Sequence, residues 1–136
     1  MKRIRIVLTL VLSFLITVAN AQDSGQLAAS AYAQANYDDA AQLYDMAASL
    51  ASDSAVKTQY YNMAKKSREC KSLTSRAASL YSSGDYEGAR SVYARIVSLN
   101  PSDKTAKSRL NSIDSRLAKQ KAAQKQEKAY ADALKS

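Results

Sequence analysis

The chain has 136 residues, enough for one small domain, with 20 Lys and Arg against 12 Asp and Glu and no His. Its single cysteine, Cys70, excludes an internal disulfide, and the lack of His excludes a Ser-His or Cys-His nucleophile. A zinc site would have to rest on carboxylates, so we expect no metal and no other cofactor. Three Gly and one Pro leave little to interrupt helices, which predicts an all-α fold.

The first 21 residues have the pattern of a secretory signal peptide. Three basic residues precede an apolar stretch over 6–19, and Ala19-Asn20-Ala21 forms a small-x-small cleavage site. A membrane anchor is disfavoured because 14 helical residues reach about 21 Å, short of a roughly 30 Å hydrocarbon core. We expect cleavage after Ala21 and a mature protein, residues 22–136, that is periplasmic or secreted.

An internal repeat with an offset of 49 residues dominates the mature sequence. The matched residues are Ala28, Ala29, Ser30, Tyr32, Tyr37, Ala40 and Tyr44 in the first copy and Ala77, Ala78, Ser79, Tyr81, Tyr86, Ala89 and Tyr93 in the second. Each copy is predicted to be a helix hairpin. Ala40 and Ala89 are small enough for two helices to approach closely, and the tyrosines at 37, 44, 86 and 93 fill the core around that contact.

Turn and capping residues separate the helices of each hairpin. A residue that tolerates left-handed backbone ends the first helix, and an acidic residue beside the turn caps the second. We assign the left-handed backbone to Asn36 and Gly84, the caps to Asp38 and Asp85, the end of the second hairpin to Asn100-Pro101, and the following cap to Ser102 or Asp103.

The second copy resembles a tetratricopeptide repeat (TPR), a 34-residue helix hairpin that ends in Pro. The resemblance covers residues 70–103 and is carried by Ala77, Gly84, Tyr86, Ala89, Tyr93 and Pro101. The first copy, residues 21–54, keeps Ala28, Tyr37, Ala40 and Tyr44 but has Ser52 at the position of the terminal Pro. The offset of 49 leaves about 15 extra residues between the copies.

The extra residues are predicted to be helical. Residues 54–83 contain no Gly or Pro and carry one apolar stripe, which predicts a long helix that runs into the second copy. Cys70 lies on this stripe. Two interpretations stay open for it: a buried thiol that packs as a small hydrophobic side chain, or an intermolecular disulfide that makes a homodimer.

A final helix closes the repeats and continues as a basic tail. Ala106, Leu110, Ile113 and Leu117 share one face, as in a capping helix, which gives a TPR-like domain over 22–118. Residues 119–136 are rich in Ala, Lys and Gln, which favours helix without a core face. The tail is either a solvated extension or a basic segment that contacts an anionic polymer, a membrane surface or an acidic protein.

The TPR resemblance implies a groove lined by the first helix of each hairpin. The residues that it places there are Ala29, Tyr32, Lys71, Thr74, Tyr81, Thr105, Ser108, Ser112 and Arg116. If Tyr32 and Tyr81 are exposed, they would bind an extended peptide with acidic character beside Lys71 and Arg116.

This resemblance implies a protein–protein interaction module, an adaptor or scaffold of the bacterial cell envelope. The alternative is an electrostatic binder, since residues 65–136 carry 16 Lys and Arg against seven acids. Nucleic acid is not an expected partner, because no recognition motif is present. No constellation of catalytic residues assembles, so we do not expect an enzyme.

Overall fold

The computed structural model describes residues 20–135, and all regular structure within that range is α-helical. Helix α1 occupies residues 20–33, and it is followed by α2 (Tyr37–Leu50), α3 (Ser54–Ser82), α4 (Tyr86–Leu99) and α5 (Lys104–Ala133). This order of helices confirms the predicted all-α architecture. The predicted signal peptide lies almost wholly outside the described residues. Within the described range, no helix has the length and apolar character needed to cross a membrane.

The chain forms two compact units whose boundary falls inside α3. Unit 1 ends at Lys71 and unit 2 begins at Ser72. Helix α3 nevertheless runs unbroken for 29 residues, as the absence of Gly and Pro predicted. Asp53 caps its start, because the carboxylate accepts a hydrogen bond from the Val56 backbone N–H at 2.9 Å.

Small residues and tyrosines build the core of unit 1. Ala28, Ala40 and Ala47 are fully buried, and the rings of Tyr37 and Tyr44 are buried around them. Helices that meet at alanine approach closely, and the large rings then fill the space beside the contact. The repeated Ala and Tyr positions of the first copy therefore lie in the core of this unit.

The core of unit 2 repeats this arrangement with larger aliphatic side chains. Ala77, Ala89, Ile96 and Ile113 are fully buried, and Tyr93 is buried beside them. Partly buried side chains that pack against this core are Leu73, Leu80, Tyr81, Tyr86, Val97, Leu110 and Leu117. Helix α5 thus covers α4 as the predicted capping helix, although Tyr86 is only partly buried.

The two hairpin turns have the same backbone geometry. Gly84 has the predicted left-handed backbone, with φ at 84°, whereas in unit 1 the left-handed residue is Ala35, with φ at 61°. The hydrogen bonds around them are equivalent, since Asn36 N–H donates to Ala31 O at 2.9 Å and Asp85 N–H donates to Leu80 O at 3.0 Å. The assignment to Asn36 was wrong by one residue because it followed the preference of Asn for left-handed backbone rather than the offset of 49, which pairs Gly84 with Ala35.

The helix caps agree with the predictions at two of three positions. Asp85 accepts a hydrogen bond from the Gly88 N–H at 2.9 Å, and Asp103 accepts one from the Ala106 N–H at 2.8 Å. Asp38 does not cap α2, because it lies inside the first turn and its carboxylate binds Lys71. The residue before α2, Asn36, makes no side-chain cap hydrogen bond and donates instead to Asp39 at 2.6 Å.

Candidate partner-binding surfaces

An open depression lies between α1 and α3 in unit 1, and we call it the α1–α3 trough. Two cavities of about 410 and 380 Å³ form it and share Gln22, Gln59 and Tyr60. The other lining residues are Ala21, Gly25, Gln26, Ala29, Tyr44, Ala51, Ser52, Asp53, Val56 and Met63. The trough therefore combines an aliphatic and aromatic surface with glutamine amides, which both donate and accept hydrogen bonds.

A glycine allows the trough to form. A Cβ built on Gly25 would lie 2.5 Å from the Tyr60 hydroxyl oxygen, so the tyrosine ring can lie against α1 only where a side chain is missing. On its other side the Tyr60 ring faces Tyr44, with the ring centroids 6.2 Å apart. Tyr60 therefore fills part of the space between α1 and α3, and the trough lies beside its ring.

Tyr32, which the predicted groove requires to be exposed, lies inside unit 1. Only 8% of its surface is exposed, its ring packs edge-on against Tyr37, and its hydroxyl is 3.6 Å from the Cys70 sulfur. Burial raises the pKa of the Tyr32 hydroxyl, and the hydrogen bond to Cys70 raises it further. Tyr32 is thus a core residue, and it is not accessible to a partner in this conformation.

Cys70 is fully buried, in agreement with the interpretation of a thiol that packs as a hydrophobic side chain. Burial raises the pKa of the Cys70 thiol and favours its neutral form, although the hydrogen bond with Tyr32 acts in the opposite direction. A buried neutral thiol neither reaches nor attacks a thiol on a second chain. The structure therefore disfavours the disulfide-linked dimer, while a homodimer of another kind stays a prediction.

Two of the other predicted residues of unit 1 are exposed. Ala29 lies in the α1–α3 trough. Lys71 is exposed but forms an ion pair with Asp38, and a parallel pair joins Arg68 to Asp45. Lys71 must therefore give up a carboxylate of its own chain before it binds one from a partner.

Two of the predicted groove residues of unit 2, Tyr81 and Arg116, belong to an aromatic and cationic cluster. The Tyr81 and Tyr86 rings meet edge-on, with centroids 5.4 Å apart. The Arg116 guanidinium lies 5.0 Å from the Tyr86 centroid and 5.9 Å from the Tyr81 centroid, and it donates a hydrogen bond to the Tyr86 hydroxyl at 3.1 Å. Arg109 lies over the other tyrosine, 5.5 Å from the Tyr81 centroid. Each contact is a favourable cation–π interaction that fixes an arginine side chain.

A depression of about 440 Å³ continues from this cluster along α5. It is lined by Ser112, Ser115, Arg116 and Lys119, so two of the predicted residues, Ser112 and Arg116, share one surface. Thr74 is exposed on α3 in the same unit, but it does not line this depression.

The same cluster exists in unit 1 in a closed form. The edge-on pair Tyr32–Tyr37 corresponds to Tyr81–Tyr86. The Lys66 ammonium lies over the Tyr32 ring, 5.8 Å from its centroid, and the Arg116 guanidinium has the same position over Tyr81. The two cations are 50 residues apart, as are the capping residues Asp53 and Asp103. The position that corresponds to Cys70 at this spacing is the exposed Gln120, so unit 2 has no buried thiol beside its tyrosine.

Sequence reasoning did not assign Gly25, Tyr60, Arg109 or Lys119 to a binding surface. Gly25 lies in the predicted first helix and Tyr60 in the predicted insert, neither follows the repeat, and only the structure shows that they meet. Arg109 and Lys119 were detectable, because they lie one turn from Ser112 and Arg116 at helical spacing. Among residues 20–135, no group of three or more His, Cys, Asp or Glu is placed to hold a metal ion.

The basic tail is the last part of α5. All residues from 118 to 135 are exposed, including Tyr130 at 69% and Leu134 at 71%. Its charged side chains are Lys119, Lys121, Glu127, Lys125, Lys128, Asp132 and Lys135. One contact of the tail with another helix is a long ion pair between Lys121 and Glu87, with the nitrogen and oxygen atoms 3.9 Å apart.

Comparison with known proteins agrees with the helix hairpins. Residues 71–94 match the family model of the tetratricopeptide repeat, and the match spans the end of α3 and the first part of α4. No curated protein and no solved structure matches the chain. This part of the chain is thus a TPR-like helix hairpin, and repeats of this type are typically protein–protein interaction modules.

Proposed function

We propose that this protein is an interaction module of the bacterial cell envelope, which binds a segment of a partner protein. The observation that carries the proposal is the α1–α3 trough, formed by the first helix of one hairpin and the helix that leads into the next. Its apolar surface suits the side chains of a peptide, and the amides of Gln22, Gln26 and Gln59 suit the peptide backbone. Export by the N-terminal signal peptide would place this module in the periplasm or outside the cell.

A site-specific crosslink tests this proposal. A photoreactive amino acid replaces Met63, which lines the trough, or Met46, which is 51% exposed on α2 and lies outside it. Irradiation of cells that produce each variant is followed by denaturing purification and mass spectrometry. We expect a discrete protein adduct from position 63 and none from position 46. Adducts of equal yield from both positions, or none from either, would contradict binding at the trough.

A second candidate function is electrostatic binding through the tail. The supporting observation is that residues 118–135 are fully exposed and carry five Lys against two acids. Such binding would fall steeply as salt rises, because exposed charges are screened over about 8–10 Å at 0.1–0.15 M salt. It would also disappear in a chain that ends at Ala118. Capture of a partner by residues 22–118 at high salt would instead favour the interaction module.

A further inference from the structure

Three cations on one face of α5 have no acidic partner among the described residues. They are Arg109, Arg116 and Lys119, spaced by seven and three residues. Elsewhere in residues 20–135, the exposed cations Arg68 and Arg90 each bind a carboxylate of the same unit. Arg109, Arg116 and Lys119 therefore remain available to an anion from outside the chain.

The two arginines are held in place. Both guanidinium groups lie within 6 Å of the Tyr81 ring centroid, and Arg116 also binds the Tyr86 hydroxyl. Two like charges beside one ring repel each other, and anions bound to them would relieve that repulsion. Arginine side chains that are already ordered lose less entropy on binding, and their planar groups suit carboxylates in a bidentate geometry.

Divergence between the units leaves this site accessible in one of them. In unit 1 the corresponding ring, Tyr32, is buried and bonded to Cys70. In unit 2 the Tyr81 ring is partly exposed, and the depression lined by Ser112, Arg116 and Lys119 lies beside it. Of the two equivalent tyrosine clusters, the one in unit 2 therefore presents both a partly exposed ring and unpaired cations.

We infer that the Tyr81–Arg109–Arg116 surface binds an acidic segment of the partner protein, and this inference rests on the proposed function. Carboxylates of the segment accept hydrogen bonds from the two guanidinium groups, and an apolar side chain between them packs on Tyr81. In a polyproline II segment, side chains three residues apart lie on one side about 9 Å apart. Residues seven apart on α5 rise by about 10.5 Å, so acidic residues at every third position match Arg109 and Arg116.

An anionic membrane surface fits this site less well. Membrane attraction scales with the number of basic residues near the surface, at about 1 kcal/mol each, and does not require ordered side chains. Here two arginines lie over one tyrosine ring, and that ring holds both of them in place. Ordered arginines beside an aromatic ring are typical of sites that recognise a particular peptide.

Fluorescence anisotropy with the full mature chain and two labelled peptides tests the inference. One peptide repeats Glu-Leu-Ser and the other repeats Gln-Leu-Ser, and phosphatidylglycerol vesicles serve as a third probe. The Arg109→Gln/Arg116→Gln variant removes both guanidinium groups. The matched control, Lys107→Gln/Lys125→Gln, makes the same change in net charge at exposed positions of the same helix.

We expect the Glu peptide to bind and the Gln peptide to bind at least tenfold more weakly, because charge-assisted hydrogen bonds are lost. The arginine variant should weaken Glu-peptide binding about tenfold and the lysine control less than twofold. Circular dichroism verifies that each variant is folded. Equal binding of the two peptides, equal losses in both variants, or binding to vesicles alone would overturn the inference.

The inference can fail while the proposed function stands. If the Met63 crosslink persists at full yield in the Arg109→Gln/Arg116→Gln variant, the partner binds at the trough without the cationic surface. If the Met63 crosslink is absent from the wild-type chain as well, the proposed function itself fails.

Discussion

The left-handed residues that end the first helix of each hairpin provide a reciprocal test of the backbone. Ala35 and Gly84 occupy equivalent turns, with φ at 61° and 84°, but only one of them is glycine. A Cβ added at Gly84 would meet no atom within 4 Å, so a change there reports backbone strain and not a clash. Exchanging the residue types, Ala35→Gly and Gly84→Ala, should change the free energy of unfolding in opposite directions.

The magnitude follows from two opposing terms. Left-handed backbone costs a residue with a Cβ roughly 1–2 kcal/mol, and glycine avoids this cost. Glycine in turn loses about 0.4–1 kcal/mol more conformational freedom when the chain folds. Ala35→Gly should therefore stabilise the protein by about 0.5–1 kcal/mol, and Gly84→Ala should destabilise it by a similar amount.

Urea denaturation followed by circular dichroism measures both variants. We expect the urea midpoints of the two variants to move in opposite directions, while the slope of the free energy of unfolding against urea concentration stays unchanged. The melting temperatures should shift by roughly 4 °C in the same directions. The double exchange should return close to the wild-type stability, since changes at independent sites add. An Ala35→Gly variant that is neutral or less stable than wild type would refute the assignment of strain to residue 35.

Three further predictions concern caps, ionisation and the tail. Asp85→Ala should lower the free energy of unfolding by about 1 kcal/mol in urea denaturation, because it removes the hydrogen bond from the Gly88 N–H. Asn36→Ala removes no cap hydrogen bond, so it should lower the free energy of unfolding by only a few tenths of a kcal/mol. Burial raises the pKa of the Cys70 thiol above its ordinary value of 9.0, which means that the folded protein favours the neutral thiol. The contribution of this thiol to the free energy of unfolding is therefore fully present below pH 9.0 and decreases as the pH rises above 9.0. Denaturation curves at successive pH values should therefore show a smaller alkaline loss for Cys70→Ala than for wild type, and equal losses would contradict the assignment. Deletion of residues 122–135 should reduce helical circular dichroism but change the free energy of unfolding by less than about 0.5 kcal/mol, because all these residues are exposed.

The fold could be predicted from the sequence because local signals and the repeat agree. Gly and Asp are the usual residues at a left-handed turn and at a helix cap, so Gly84 and Asp85 identified both positions. Ala40 and Ala89 identified the close contacts between helices. The turn in unit 1 was misplaced because Ala35 has no intrinsic preference for left-handed backbone. In that case the equivalence of the two copies was a better guide than residue preference.

The binding surfaces were harder to predict because they depend on side-chain environments that the repeat pattern does not encode. Tyr32 and Tyr81 are equivalent in sequence, yet one is buried and the other is partly exposed. Ser67 is polar but fully buried, since its hydroxyl donates to the Met63 carbonyl oxygen at 2.8 Å and needs no other partner. An apolar stripe drawn from hydrophobic residues alone therefore omits part of the α3 contact face.

The closed cluster of unit 1 and the open cluster of unit 2 share one geometry, so a small set of residues accounts for their difference. The cation over the first tyrosine is retained as Lys66 or Arg116, and the edge-on tyrosine pair is retained with it. In unit 1 the Tyr32 hydroxyl is buried against the fully buried Cys70 thiol, so the tyrosine beneath the Lys66 ammonium is part of the core. In unit 2 the cation is an arginine, a second arginine lies over the same ring, and neither forms an ion pair with an acid among residues 20–135. A geometry that stabilises one hairpin thus leaves, in the other, two ordered guanidinium groups available to bind carboxylates.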